Sequence, residues 1–208
     1  GFGNRKAQVA ASLPYTSVSP LAAARHALEY RENVCSPTSG FHHAGYDVPA
    51  GFYTFNGLMV TALALSEPGA VRSIGILDCD VHYGNGTDDI VKRLGVQGIR
   101  HHTMGAHFRH RDEASLFEQW LHRAIEDCLD VDLLIYQAGA DPHVNDPLGK
   151  VLTGVQMAKR DHAVFSAFQG RPLVWNLAGG YQRDVNGGIE PVLKLHRTTA
   201  QIQNIYQP

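Results

Sequence analysis

Three nearly continuous apolar runs, at residues 71–82, 131–141 and 172–181, each end in polar residues or glycines. Runs of this kind are typical of strands that are buried on both faces of a sheet. A shorter strand is predicted at 98–104. The sequence therefore predicts four strands, three of which lie in the interior of a sheet.

Helical patterns separate these strands. The predicted helices cover 19–32, 55–66, 113–129 and 153–168, and a further helix begins near Pro191. In the first of them, Ser19 is a candidate N-cap and Pro20 occupies the favourable first helical position. Strands that alternate with helices predict an α/β fold, with a doubly wound parallel sheet and helices on both faces. The length of 208 residues suits a single domain, 1–208.

Composition narrows the classes of function. The net charge is -2 and basic residues are mixed with acidic ones, so nucleic acid is not an expected partner. No apolar run approaches the ~18 residues of a membrane span, and no membrane partner is expected. Three widely spaced cysteines, Cys35, Cys79 and Cys128, favour neither a disulfide framework nor a thiolate zinc site, which fits a cytoplasmic protein. Twelve histidines make a metal site worth seeking.

Polar residues follow the predicted strands where ligands collect in such sheets, at the carboxyl ends. Asp80 and His82 share one side of the extended chain after the first long strand, and the next long strand delivers Asp141. Two carboxylates and one imidazole, with one position left open, can hold a catalytic zinc, and the same ligands accept Fe²⁺. An Asp at a strand end is more often a cap or turn residue, but the joint pattern is harder to explain in that way. We therefore predict a metal site.

Adjacent histidines, His42 and His43, lie in the glycine-rich segment 39–53. On a strand the two rings would point to opposite faces, and on a helix they would diverge by about 100°. A loop frees both rings to face one spot. A second pair, His101 and His102, falls on the predicted strand 98–104, where alternation separates the rings, and no catalytic role is expected for it.

Other polar residues are expected to be structural. Asp161 and His162 lie within a predicted helix and are interpreted as solvated. Asp184 and Glu190 are candidates for the pocket mouth or for a cap of the last helix. The sequence lacks a GxGxxG loop, so no nucleotide cofactor is indicated.

Four motifs in order, "GFHHAGYDVPAGFYTFN", "ILDCDVHYGNGT", "YQAGADPHVNDPLG" and "NLAGGY", resemble the zinc-dependent histone deacetylase family. That family includes acetylpolyamine amidohydrolases and acetoin-utilisation proteins, and the resemblance extends from about residue 19 to residue 195. It implies that the zinc ligands are Asp80, His82 and Asp141 and that the catalytic residues are His42, His43, Asp78, Asn85 and Tyr181. It also allows for a structural monovalent cation.

The implied activity is the hydrolysis of an acetyl or other short acyl amide on acetyl-lysine or an acetylated polyamine. In this interpretation His43 acts as general base and then acid, and His42, backed by Asp78, is its electrostatic partner. Asn85 backs His43, and Tyr181 donates to the substrate carbonyl. Two alternatives stay open: a noncatalytic acyl-group binder, and an arginase-like dimetal ureohydrolase. The second needs carboxylates beside His82, where Tyr83 and Gly84 stand.

Two departures from the family pattern bear on the substrate. Only 41 residues precede His42, a shorter segment than most members have, so either truncation or a compact form is expected. The loop that lines the acyl-lysine tunnel is not recognisable in "MGAHFRHRDEAS", where His107 or Phe108 is the candidate for the entrance, and Phe52 is the candidate channel wall. A small or loosely held substrate is therefore expected.

Overall fold

A five-stranded parallel sheet organises the computed structural model, which describes residues 6–67, 69 and 71–207. The strands are β1 (Asn33–Ser39), β2 (Ile74–Asp78), β3 (Ile99–Thr103), β4 (Leu133–Ala138) and β5 (Leu173–Leu177). Their order across the sheet is β1-β5-β4-β2-β3, and every neighbouring pair is parallel. Each of the four predicted strands contains one of these elements.

Helices cover both faces of this sheet. They are α1 (Ala7–Tyr30), α2 (Gly57–Ser66), α3 (Asn85–Leu94), α4 (Ala114–Asp127), α5 (Gly154–Ala167) and α6 (Glu190–Ile205). Strand β4 contributes to a hydrophobic core on each face of the sheet. Every one of its residues is buried, and successive side chains pack in different cores. Leu133 and Ile135 pack in the core that contains residues of α1 and α2. Leu134 and Tyr136 pack with residues of α4 and α5. The doubly wound α/β prediction is confirmed.

The amino-terminal part differs from the prediction. Helix α1 begins at Ala7, so Ser19 and Pro20 lie inside it rather than at its start. The Ser19 hydroxyl is 2.9 Å from the hydroxyl of Ser36 on β1, so it links the helix to the sheet and does not cap. Two further elements were not predicted, β1 and the charged, amphipathic α3. Strand β1 was not predicted because its sequence is mostly polar. Its Pro37 is tolerated because β1 lies at the edge of the sheet and pairs with β5 alone.

The interpretation of Asp161 as solvated is wrong. Its side chain is buried on α5, where the carboxylate accepts hydrogen bonds from Arg160 Nε at 2.9 Å and from the Thr199 hydroxyl at 2.6 Å. The Tyr136 hydroxyl donates to it as well. This network ties α5 to α6 and β4 through a charge pair that is shielded from water. His162 is part-buried, and its Nδ1 is 3.0 Å from the Tyr206 hydroxyl.

Replacing Asp161 with alanine should lower the free energy of unfolding by about 3–5 kcal/mol, because it leaves the buried Arg160 guanidinium without its carboxylate. Urea denaturation measures the change. Asp130→Ala is the matched control: Asp130 pairs with Arg100 at the surface, where its side chain is 73% exposed, and its loss should cost less than about 1 kcal/mol. Equal effects of the two substitutions would contradict the assignment of Asp161 as a structural centre.

Among the described residues, no helix combines the length and the apolar character that crossing a membrane requires.

Candidate active site

The carboxyl ends of β2, β4 and β5, together with the loop after β1, converge at one edge of the sheet. Strand β2 is followed by Asp80 and His82, and β4 by Asp141. One ligand atom from each of these residues lies within 4.8 Å of the others. The remaining predicted residues surround this cluster: His42, His43, Asp78, Asn85 and Tyr181. The structure therefore brings together the whole set that the sequence proposed.

The cluster of Asp80, His82 and Asp141 fits a divalent cation. His82 Nδ1 is 2.9 Å from Asp80 Oδ1 and 3.1 Å from Asp141 Oδ2. One ring N–H cannot serve both oxygens, and the buried Asp141 Oδ2 has no hydrogen-bond partner among the described residues. Burial, together with the charge of Asp80, raises the pKa of Asp141 well above its usual range. Two buried carboxylates and an imidazole that face one point are the donor set of a zinc or iron(II) site.

Backbone groups hold these carboxylates in place. The amide of Val81 donates to Asp141 Oδ1 at 3.0 Å, and the amide of Gly179 donates to Asp80 Oδ2 at 2.8 Å. A side chain at position 179 is excluded, because a Cβ there would lie 2.1 Å from Asp141 Oδ2. The first of the two glycines that end the last predicted strand, Gly179, is therefore required by its close approach to the site.

His42 is backed by a buried carboxylate. Its Nδ1 is 2.7 Å from Asp78 Oδ2, and its Nε2 is 3.6 Å from Asp80 Oδ1. The other oxygen of Asp78 accepts from Gln137 Nε2 at 2.8 Å and from the Asp80 amide at 3.1 Å. Burial lowers the pKa of His42, but the attraction of Asp78 and the nearby carboxylates outweighs it and raises the pKa to about 9. The surroundings of His42 favour the charged ring.

His43 has a neutral partner in place of a carboxylate. Its Nδ1 is 2.6 Å from Asn85 Oδ1, and its ring centroid is 4.2 Å from that of His42. Burial and the adjacent charge of His42 lower the pKa of His43. Gly51 permits this packing: it has φ +53°, and a Cβ there would lie 2.3 Å from the His43 ring. Two adjacent histidines therefore sit in opposite electrostatic surroundings.

Tyr181 faces the metal-ligand cluster across His82. The two ring centroids are 6.1 Å apart at an angle of 85°. Its backbone amide donates to Asp146 Oδ2 at 2.7 Å, and the other oxygen of Asp146 accepts from the Leu148 amide at 3.0 Å. Burial and the charge of Asp141 raise the pKa of Tyr181, so its hydroxyl keeps its proton at neutral pH. Asp146 was not singled out from the sequence; its only signal is that it stands within one of the quoted motifs.

His101 also lies closer to the site than predicted. Strand β3 points it inward, where Nδ1 is 2.6 Å from Asp88 Oδ1 and Nε2 is 3.9 Å from Asp78 Oδ2. His102 is directed elsewhere and is 2.9 Å from Asp127 Oδ2 of α4. The predicted separation of the two rings is correct, but His101 stands behind the carboxylate that supports His42.

A cavity of about 390 Å³ opens above the cluster. Its lining residues are His43, Val81, His82, Tyr83, Asn85, Gly105, Arg109 and Leu148. The candidates named for the entrance do not line it. Phe108 is buried against Phe117 and Trp120, and the His107 ring packs on Trp120 as well. Arg109 takes the place that the sequence analysis gave to His107 or Phe108.

Asp184 and Glu190 do not line this cavity either. The Asp184 carboxylate accepts from the amides of Asn186 and Gly188 and so closes a turn. Glu190 stands in the first turn of α6 and pairs with Arg197 at 2.6 Å.

This architecture is the arginase and deacetylase fold, in which a parallel sheet carries a site at the carboxyl ends of its strands. The chain belongs to the histone deacetylase family, because the model of the histone deacetylase domain matches residues 5–108, half of its length. Acetylpolyamine amidohydrolase 1 of Pseudomonas aeruginosa is 26% identical over 183 residues, which cover 74% of this chain and 51% of that protein. An uncharacterised protein of Picosynechococcus is 28% identical over 187 residues, which cover 81% and 62%.

A solved structure shares the fold. The acetylpolyamine aminohydrolase from Burkholderia pseudomallei superposes with a TM-score of 0.76 at 19% identity, over 95% of this chain and 64% of that one. The chain thus spans less than two thirds of the length of these relatives.

Proposed function

We propose that this protein is a metal-dependent amide hydrolase that removes acetyl or other short acyl groups from an amine. The observation that carries the proposal is the pairing of the tandem histidines with different partners beside the cluster of metal ligands. His42 is backed by the carboxylate of Asp78 at 2.7 Å, and His43 by the amide of Asn85 at 2.6 Å. A protein that only binds acyl groups would not need two adjacent histidines whose pKa values are shifted in opposite directions.

Asp80, His82 and Asp141 are the residues that would hold the metal. Bound there, Zn²⁺ or Fe²⁺ supplies a Lewis acid for the substrate carbonyl and lowers the pKa of a water molecule toward about 7. The two carboxylates offset the charge of a divalent ion. Their fixed backbone contacts would keep both carboxylates oriented toward the metal position.

The two histidines handle the protons. Amide hydrolysis takes a proton from water and gives one to a poor leaving amine, so one group must act first as base and then as acid. His43 is suited to this, because its ring lines the cavity and its Nδ1 is held by Asn85, which leaves Nε2 toward the substrate. His42 is held by Asp78 and contributes a fixed charge beside it.

In the proposed reaction Tyr181 supports the substrate carbonyl. Its hydroxyl stays protonated, and the Asp146 contact fixes its backbone near His82. A donor of this kind stabilises the negative charge that develops on the carbonyl oxygen.

Acetate release from zinc-loaded protein tests the proposal, with acetyl-lysine and an acetylated polyamine as substrates and the same protein stripped by a chelator as the control. Turnover that returns with added Zn²⁺ or Fe²⁺ is expected. Tight binding of the acylated amines without acetate release would support the binder alternative instead. Urea release from arginine would favour the ureohydrolase alternative.

Tyr181→Phe should lower kcat by about 10²–10³-fold, equivalent to the ~2.7–4 kcal/mol that an oxyanion donor contributes. The metal content should not change, since the ring stays in place and only the hydroxyl is lost. Tyr83→Phe is the matched control: Tyr83 lines the same cavity, but its hydroxyl donates to Asp88 at 2.5 Å. Equal losses in the two variants would remove Tyr181 from the mechanism.

A further inference from the structure

We propose that Arg109 makes this site select acylated amines whose far end is anionic, a carboxylate in the simplest case, over cationic ones such as polyamines. The inference rests on the proposed hydrolase function and names the substrate class that function leaves open. It depends on where the chain holds Arg109 and on which charges share the cavity with it.

Arg109 is held at the cavity by anchors on both sides. The preceding residue, Phe108, is buried between the rings of Phe117 and Trp120, each with its centroid 5.7 Å away. On the other side, the amides of Arg109 and His110 both donate to Glu113 Oε2, at 2.7 and 2.8 Å. The backbone is therefore fixed where the Arg109 side chain joins the lining of the cavity.

Among the residues that the structure describes, no acidic one lines this cavity beside Arg109. Its lining contains two histidines and five uncharged residues, so Arg109 is the one permanently charged group among them. Within the described ranges the guanidinium forms no ion pair with a carboxylate. Two acidic residues follow Arg109 closely in the chain: Glu113 uses its carboxylate on the backbone amides, and Asp112 is exposed and does not line the cavity. Asp80 and Asp141 would offset the charge of a divalent metal, so they would not neutralise the guanidinium.

The chemistry of a guanidinium decides what it selects. Its planar fork binds carboxylates through two parallel hydrogen bonds, whereas it repels an ammonium group. An acetylated polyamine would bring a cation to an unpaired cation. An acylated amine that ends in a carboxylate, or an acetyl-lysine beside acidic residues, would bring the opposite charge. The site is therefore expected to rank substrates by the charge at the end remote from the acyl group.

Three probes of matched chain length test this: N-acetylcadaverine, which is cationic, N-pentylacetamide, which is neutral, and acetamidohexanoate, which is anionic. Zinc-loaded protein should show a kcat/KM at least about tenfold higher for the anionic probe than for the cationic one. The ratio should shrink as ionic strength rises, since exposed charges are screened. Isothermal titration calorimetry of the same probes gives the affinity order without turnover.

Variants assign the effect to one residue. Arg109→Gln should bring the three probes within about twofold of one another, and Arg109→Glu should reverse the order. Arg111→Gln, an exposed arginine outside the cavity lining, should leave the preference intact. An anionic preference that persists in Arg109→Gln, or equal values for the anionic and cationic probes in the unaltered protein, would overturn the inference. Loss of turnover with all three probes would overturn the hydrolase function instead, while the calorimetric order still decides the charge preference.

Discussion

Replacing Asp80 with alanine is expected to abolish metal binding and, with it, acetate release. Asp80 is one of the three proposed ligands, and among the described residues no further carboxylate joins the group that it forms with His82 and Asp141. Substitution of a residue that hydrogen-bonds to a metal ligand typically lowers metal affinity 10–100-fold, and loss of a ligand itself should lower it more. His82→Ala is expected to have the same result.

Metal content per chain, measured after zinc loading and dialysis, is the direct readout, with circular dichroism to check folding. Asp130→Ala removes an exposed carboxylate that is not part of the ligand cluster and should keep one metal per chain. One metal per chain in folded Asp80→Ala protein would contradict the assignment of Asp80 as a ligand. Bound iron in place of zinc would not, because the donor set accepts both ions.

Replacing His43 with alanine should lower kcat by 10²–10⁴-fold, the range of general acid–base catalysis, while the metal stays bound. His43 is not one of the three proposed ligands, and its ring lines the cavity where, in the proposed reaction, water and the leaving amine exchange protons. His42→Ala should be less damaging, since His42 supplies charge and not the transferred proton.

The control for both is His102→Ala, which removes a histidine that pairs with Asp127 away from the cavity. Steady-state kinetics and metal content are compared among the unaltered protein and the three histidine variants. A larger loss in His42→Ala than in His43→Ala would show that the two roles are exchanged. Unchanged kcat in both would end the deacylase proposal.

Apolar patterning was sufficient for the centre of the fold. Strands β2 and β4 are buried at every position and β5 at all but its last, so their sequences form the nearly continuous apolar runs that predict interior strands. Strand β1 was not predicted because it lies at the sheet edge and is mostly polar. Helix α3 was not predicted because charged surface residues dominate its composition. The start of α1 was misplaced because Ser19 and Pro20 form a local helix-start signal that packing overrides.

The sequence by itself determined the candidate metal ligands, the histidine pair and the strand ends that carry them, because each is a local pattern of residue types at the end of a predictable element. Tertiary structure alone decided the burial of Asp161, the approach of His101 to Asp78 and the support of Tyr181 by Asp146. It also placed Arg109, and not His107 or Phe108, at the cavity. Each of these depends on a contact between elements far apart in the chain. From the sequence, a charged residue can be recognised, but whether it is solvated or pairs with a buried group from another element depends on tertiary packing.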